Sequence, residues 1–418
     1  MTHDADVLVI GGGVIGICTA YYLTERGRTV TVIEKGEVCS GSSYGNAGLI
    51  VPSHSVPLAA PGMVSQGLRW MFNPESPFYI KPRLDRELFS WLWKFRGACN
   101  AGHVRRAMPV IRDLSLASLR LYEELTTRDD LQFGFERRGL LVVFRSAEHL
   151  KEGSEEVRRL QDIGLEVSVL NGDEVRALEP HVRMNTAGGV FYHQDAHLIP
   201  AKFVRELARS VEKKGAAIHP STEVLGFETA GRRVATVKTT RGDFSAQEIV
   251  LASGTWSPGI ARDLRINLPM QPAKGYSVTV KRPESSPVIP MVLAEARVGV
   301  TPMGETLRFA GTLELAGLDF SINRRRVQAI LRSVPEYLPD LNPANLELIE
   351  IWRGLRPCTP DGLPYLGRAR RYDNLTIAAG HAMIGVSLGP VTGNLVSQVV
   401  AGETPWIDLT MFSVERFD

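Results

Sequence analysis

Gly11, Gly13 and Gly16 complete the spacing G-x-G-x-x-G, with Val14 and Ile15 carried inside it. Glycines at those positions allow a tight turn and bring backbone N–H groups up to a pyrophosphate, at a helix N-terminus whose dipole favours negative charge. Glu34 follows eighteen residues after Gly16, with Lys35 beside it. A carboxylate there can accept hydrogen bonds from both ribose hydroxyls and repels a 2′-phosphate. Together these residues predict a site for an adenine dinucleotide other than NADP, with FAD and NAD both open.

Such a site needs a strand before the glycines and a helix after them. Ala5 to Ile10 is a short apolar run, and Ile17, Ala20 and Leu23 share one helical face before Gly27 closes it. Thr29 to Ile33 is β-branched, so the first 34 residues read as a βαβ unit opening a parallel sheet. Ile249 to Gly254 and Leu375 to Gly380 share one form, an apolar strand running into two small residues and a glycine. Ser253, Gly254 and Gly380 are therefore expected where strand carboxyl ends meet a ligand, with Gly385 in the turn that follows.

The remaining segments have a different character. Pro109 is expected to open a helix carrying the stripe Val110, Leu114, Ala117, Leu121 and Leu125. A strand at 139–144, a polar helix at 148–162 and a strand at 165–170 make an α+β passage, and a helix over 200–214 leads into a β-meander. Mixed strands and a helix then fill 269–349. The expected division interleaves a nucleotide domain (1–60, 199–265 and 350–418) with a second domain (61–198 and 266–349).

Composition narrows the function classes. The 418 residues are 44% hydrophobic and 22% charged, which excludes disorder and repeat fibres. Lys plus Arg number 48 against 46 Asp plus Glu, so no global field draws the chain to nucleic acid. Cys18, Cys39, Cys99 and Cys358 have neither C-x-x-C nor Cys/His spacing, so no metal is expected and a reducing cytoplasm fits. The acidic start, Met-Thr-His-Asp-Ala-Asp, argues against a secretory signal. Residues 374–402 lack Asp, Glu, Lys and Arg, but their glycines and Pro390 read as strand, turn and helix rather than a membrane span.

Longer motifs carry a resemblance. Ser42-Ser43-Tyr-Gly-Asn46-Ala47-Gly48, Pro272-Ala-Lys-Gly-Tyr276-Ser277, Trp352-Arg-Gly-Leu-Arg356-Pro-Cys-Thr-Pro-Asp-Gly362 and Gly380-His381 stand in that order. The chain resembles the D-amino acid oxidase superfamily of flavoproteins, most closely its D-amino acid dehydrogenase branch, over essentially its whole length. The resemblance implies an α/β plus α+β fold, a Rossmann-like FAD-binding domain interleaved with a mixed-sheet substrate domain. It implies FAD along Asn46, Ala47 and Gly48, with Val224 near the adenine, and Arg356 holding a substrate carboxylate. The implied reaction is oxidation of a free D-amino acid to the imine and then the 2-oxo acid; D-proline or hydroxyproline, glycine or sarcosine are the alternative substrates, and a non-catalytic flavin-binding subunit is the alternative outside enzymes.

That role agrees with the chemistry. Hydride transfer needs the substrate Cα–H held against the flavin, and a guanidinium fork orients a carboxylate as Lys cannot. Tyr276 is a candidate for shaping the cavity, and His381 for facing the flavin at the turn before the Gly389-Pro390 helix. Sarcosine oxidases attach flavin through a Cys several residues before Thr-Pro-Asp; here that position falls near Gly354, so FAD is expected to be noncovalent. With no second dinucleotide motif and no C-x₄-C pair, the electron acceptor is expected to be oxygen, quinone or another carrier. Eight aromatics lie in 68–96: Trp70, Phe72, Phe78, Tyr79, Phe89, Trp91, Trp93 and Phe95. They are expected to build the shell of the substrate domain, with peripheral contact at the inner face of the membrane as the alternative. A homo- or hetero-oligomer is compatible with all of this.

Overall fold

The computed structural model describes residues 5–71 and 76–418, so Phe72 of the aromatic stretch and the first four residues lie outside it. Its first sheet has six strands, in the order Tyr365–Arg368, Leu375–Ala379, Ala246–Leu251, Ala5–Ile10, Val30–Ile33 and Ala217–His219. All neighbours run parallel except the Tyr365–Arg368 pair. The two strands of like sequence are adjacent, with Ile249 opposite Leu375. Strands buried on both faces need helices on each side, and continuous Val/Ile/Leu runs supply the apolar surface. The helices Val14–Glu25 and Gly389–Ala401 pack so closely that a Cβ on Gly393 would stand 2.5 Å from the Cys18 carbonyl carbon.

A second sheet of nine strands is mixed. Its main path runs Leu348–Cys358, Gln271–Lys281, Thr306–Leu315, Val298–Met303, Met291–Leu293, Leu140–Phe144, Gly188–Tyr192, Val167–Asn171, and Phe78–Ile80 pairs beside Thr306–Leu315. Helix Arg324–Tyr337 covers one face through Val327, Ile330 and Val334, against Val278 and Phe309. The doubly wound sheet interleaved with a mixed sheet is the expected class.

Two expected boundaries are corrected. Strand Leu348–Cys358 crosses the division placed at 350 and pairs antiparallel with Gln271–Lys281 in the large sheet, from Leu348 through Cys358. The strand lies at the edge of that sheet, where Pro357 is tolerated. The helix expected from Pro109 begins at Ala101, capped by the Asn100 side chain accepting from the His103 N–H, with Pro109 inside it. Its Ile111, Leu114 and Tyr122 join the core of the nucleotide domain, and the Tyr122 hydroxyl donates to the Val386 carbonyl at 2.6 Å. Amphipathic spacing shows that a helix buries one stripe but not which domain receives it.

Candidate active site

The glycine turn lies at the carboxyl ends of the central strands. A Cβ on Gly11, which has φ 120°, would stand 2.5 Å from the Ala252 carbonyl oxygen, and one on Gly16 only 1.8 Å from the Gly11 carbonyl oxygen. These positions admit only glycine. Val14 and Ile15 open the helix, and Ser43 Oγ accepts from the Val14 N–H at 3.0 Å. The Ser253 hydroxyl donates to the Ile10 carbonyl, with Gly254 beginning the turn beyond it in left-handed backbone (φ 54°). The Glu34 carboxylate is held by the Gly12 N–H at 2.7 Å and the Gly36 N–H at 2.9 Å. Two N–H donors fix its orientation while leaving lone pairs for ribose hydroxyls, so cradle and carboxylate fit an adenine dinucleotide. Lys35 pairs with Glu223 at 3.1 Å, beside Val224 at the start of the Val224–Ala230 strand.

The loop from Ser42 to Gly48 continues from this turn toward the large sheet. Ser42 donates to the Leu355 carbonyl, and Asn46 Oδ1 accepts from the Gly48 N–H at 2.8 Å. Gly48 has φ 73°, and a Cβ there would meet the Leu198 carbonyl at 2.2 Å. Arg308, which sequence reasoning missed, fastens this loop: its Nη1 donates to the carbonyls of Tyr44 at 3.1 Å and Asn46 at 2.8 Å, and its Nε to Thr279 Oγ1. Burial lowers the Arg308 pKa from its ordinary value. Nothing local marks Arg308, because the loop it fastens lies more than 250 residues away.

Ser42, Asn46 and Ala47 line a cavity of about 1300 Å³ that Arg356 also enters. Residues opposite each other in an antiparallel pair share a face, and Gly275 lies opposite Gly354. Arg356 and Trp352, two residues on either side of Gly354, therefore project from that same face. A Cβ on Gly275 would stand 2.1 Å from Arg356 Nη1, and one on Gly354 1.9 Å from the Trp352 ring. Both glycines leave room for large side chains to lie across the sheet. Arg356 Nη1 donates to the Thr312 carbonyl at 2.8 Å, and Thr312 itself holds φ 70°. Among the described residues no carboxylate forms an ion pair with Arg356, and no Asp or Glu lines the cavity. Burial lowers its pKa, yet a guanidinium remains protonated, so the cavity presents a cation able to receive a carboxylate.

Tyr276 borders the cavity while its hydroxyl is engaged away from it, and His381 lies behind the cavity wall. Tyr276 pairs with Arg353, so its side chain leaves the sheet on the face opposite Arg356. Its hydroxyl donates to Glu314 at 3.2 Å within a buried network completed by Lys274 and Arg326. Its hydroxyl is thus satisfied in the core, because successive strand residues alternate faces. His381 is buried behind the cavity, its Nε2 3.0 Å from Thr392 Oγ1, and burial pushes its pKa down to about 3. A neutral imidazole there fastens the turn to the Gly389–Ala401 helix. Gly380, with φ 85°, and Gly385 bound that turn, whose Ala382, Met383 and Ile384 form the cavity wall. Of the aromatic stretch, Trp91 and Phe95 stack at 5.1 Å and line the cavity, as a substrate shell would.

A family model for FAD-dependent oxidoreductases matches residues 6–399. The D-amino acid dehydrogenase of Granulibacter bethesdensis is 32% identical over 421 residues, covering 98% of this chain and 99% of that one. That of Vibrio atlanticus is also 32% identical, covering 99% and 100%. Among solved structures, glycine oxidase from Geobacillus kaustophilus superposes over the whole of both chains with a TM-score of 0.80 at 25% identity. With a glycine cradle and a carboxylate that fit an adenine dinucleotide, and a family model matching most of its length, the chain belongs to the family of FAD-dependent oxidoreductases.

Proposed function

We propose that this flavoenzyme oxidises free D-amino acids, or related secondary amine acids, to imines that water hydrolyses to 2-oxo acids. The observation that carries the reading is Arg356, a guanidinium with no carboxylate partner among the described residues, in a cavity that no described Asp or Glu lines. Its fork takes the substrate carboxylate, and Gly275 and Thr312 hold the guanidinium flat so that Cα is presented in one orientation. Trp91, Phe95 and Trp352 exclude water around it. Bound FAD supplies the two-electron acceptor. The names of the 32% identical relatives support D-amino acids as the substrate class.

Noncovalent FAD is part of this proposal. It is supported by the position of the sarcosine oxidase attachment cysteine falling near Gly354, and by the buried Cys358 thiol, whose pKa burial pushes up to about 12. Anaerobic addition of D-alanine, D-leucine or D-proline is expected to bleach the flavin absorbance, while the decarboxylated amines leave it. Acid precipitation is expected to leave the yellow colour in solution. A flavin that none of these acids reduces overturns the substrate class, and colour retained on the precipitate overturns noncovalent binding.

A bilayer-soluble acceptor such as quinone is proposed on a separate observation. Helices Met63–Met71 and Arg86–Ala98 at the cavity wall expose Leu68, Phe89 and Trp93, the last at 74%, and Leu84 before the second helix is fully exposed. Arg69, Arg86 and Arg96 stand exposed among them. Apolar and aromatic side chains ringed by cations suit the surface of an anionic bilayer. No helix among the described residues is long and apolar enough to cross a membrane. The holoenzyme is expected to sediment with phosphatidylglycerol vesicles, and Trp93→Asp with Leu84→Asp to weaken this roughly tenfold. Equal recovery in the supernatant with and without vesicles excludes the contact.

A further inference from the structure

The cavity has a second polar pole that the carboxylate does not use. Arg297 stands just before strand Val298–Met303 in left-handed backbone (φ 55°), and its side chain lines the cavity. Its carbonyl oxygen lies 3.4 Å from where a Cβ on Gly311 would stand, next to the Thr312 carbonyl that takes Arg356. Among the described residues Arg297 pairs with no carboxylate.

His54 lines the same cavity and is held from behind. Ser53 Oγ stands 3.0 Å from His54 Nδ1 and also donates its proton to the Asp195 carboxylate, which takes the Ser53 N–H at 3.1 Å as well. Asp195 is 1% exposed. Burial pushes the Asp195 pKa up to about 7, so its carboxyl is ionised above neutrality; in that form the single Ser53 hydrogen is committed to it and the hydroxyl accepts from His54 Nδ1–H. In that form Nε2 is an acceptor on the ring's other side. Burial first, and then the Arg297 charge, push the His54 pKa down to about 4, which keeps the ring neutral.

We propose that Arg297 and His54 form a side-chain subsite that recognises an oxygen, hydroxyl or carboxylate, at the far end of the substrate, and that the cavity rejects ammonium and guanidinium side chains. The inference rests on the amino acid reading above and specifies its substrate class. Arg297 donates to either kind of oxygen, and His54 Nε2 accepts only from a hydroxyl. Among the described residues the five charged side chains lining the cavity are cations, Lys81, Arg83, Arg96, Arg297 and Arg356; Lys81 and Arg83 pair with Asp319 and Asp85, and a cationic substrate side chain near Arg297 meets repulsion.

The test compares kcat/KM of the holoenzyme, with a dye as acceptor, for matched pairs: 4-hydroxy-D-proline against D-proline, D-glutamate against D-norvaline, and D-ornithine against D-norleucine. The oxygen-bearing member is expected to be favoured by roughly tenfold or more, mainly through KM, and D-ornithine to be disfavoured by about a hundredfold. A preference confined to the proline pair assigns the subsite to hydroxyls, and one confined to glutamate to carboxylates. Arg297→Met should bring both ratios to within about threefold of unity, and His54→Phe only the hydroxyl ratio. Arg297→Lys, which keeps the charge, should retain part of the carboxylate preference, which separates recognition from damage to the fold. Ratios near unity in the wild type, ratios that survive Arg297→Met, or D-ornithine turned over as well as D-norleucine would each overturn the subsite. Flavin reduction by amino acids without these preferences removes the subsite alone, whereas failure of every amino acid to reduce the flavin removes the reading on which it rests.

Discussion

Replacing Arg356 by Leu is expected to leave FAD bound and the fold intact while lowering kcat/KM for D-amino acids by about 3 to 5 kcal/mol, a factor of roughly 10² to 10⁴. The loss combines charge-assisted binding with the near-attack orientation that a fork enforces. Arg356→Lys should recover little, because an ammonium returns the charge without the plane that Thr312 and Gly275 now align. Decarboxylated amines, poor substrates from the outset, should lose far less on the Leu substitution. Steady-state rates on matched acids and amines are the measurement; equal impairment on both would place the carboxylate elsewhere. Gly275→Ala should act in the same direction, since its Cβ would stand 2.1 Å from Arg356 Nη1.

Gly16→Ala should remove the cofactor. The added Cβ would stand 1.8 Å from the Gly11 carbonyl oxygen, an atom of a turn that already has φ 120° and bonds the Ile33 carbonyl at 2.8 Å. Neither side can give way without moving the helix N-terminus off the phosphate position. FAD affinity is expected to fall by more than about a hundredfold, and the apoprotein to lose about 1 to 3 kcal/mol from overpacking. Gly259→Ala is the control: it lies in helix Ser257–Asp263 with nothing within 4 Å of the added carbon, so affinity and melting temperature should hold. Titration of apoprotein with FAD decides; undiminished binding by Gly16→Ala would show that the turn relaxes.

What the sequence by itself determined is the nucleotide end of the molecule. The βαβ unit is contained within 34 residues, its glycines are required by contacts inside that unit or with the strand beside it, and periodicities of two and 3.6 are local properties. Glu34 could be placed at the end of the second strand for the same reason. The longer motifs placed Arg356 in a substrate site through resemblance, and the structure brings it into the cavity that Asn46 and Ala47 share.

Only the tertiary structure decided which face each strand residue serves. Pairing Tyr276 with Arg353 and Gly275 with Gly354 sends the Tyr276 hydroxyl into the core and Arg356 into the cavity, and a shift of one residue between the two strands would put both on one face. The same long-range register moved Leu348–Cys358 into the large sheet. Arg308 reaches the Tyr44–Asn46 loop, and Arg297 lines one cavity with His54, across more than 240 residues of chain. Side-chain periodicity carries no information over such separations, because the pairing of distant segments is set by the burial of whole sheet faces and not by any local preference.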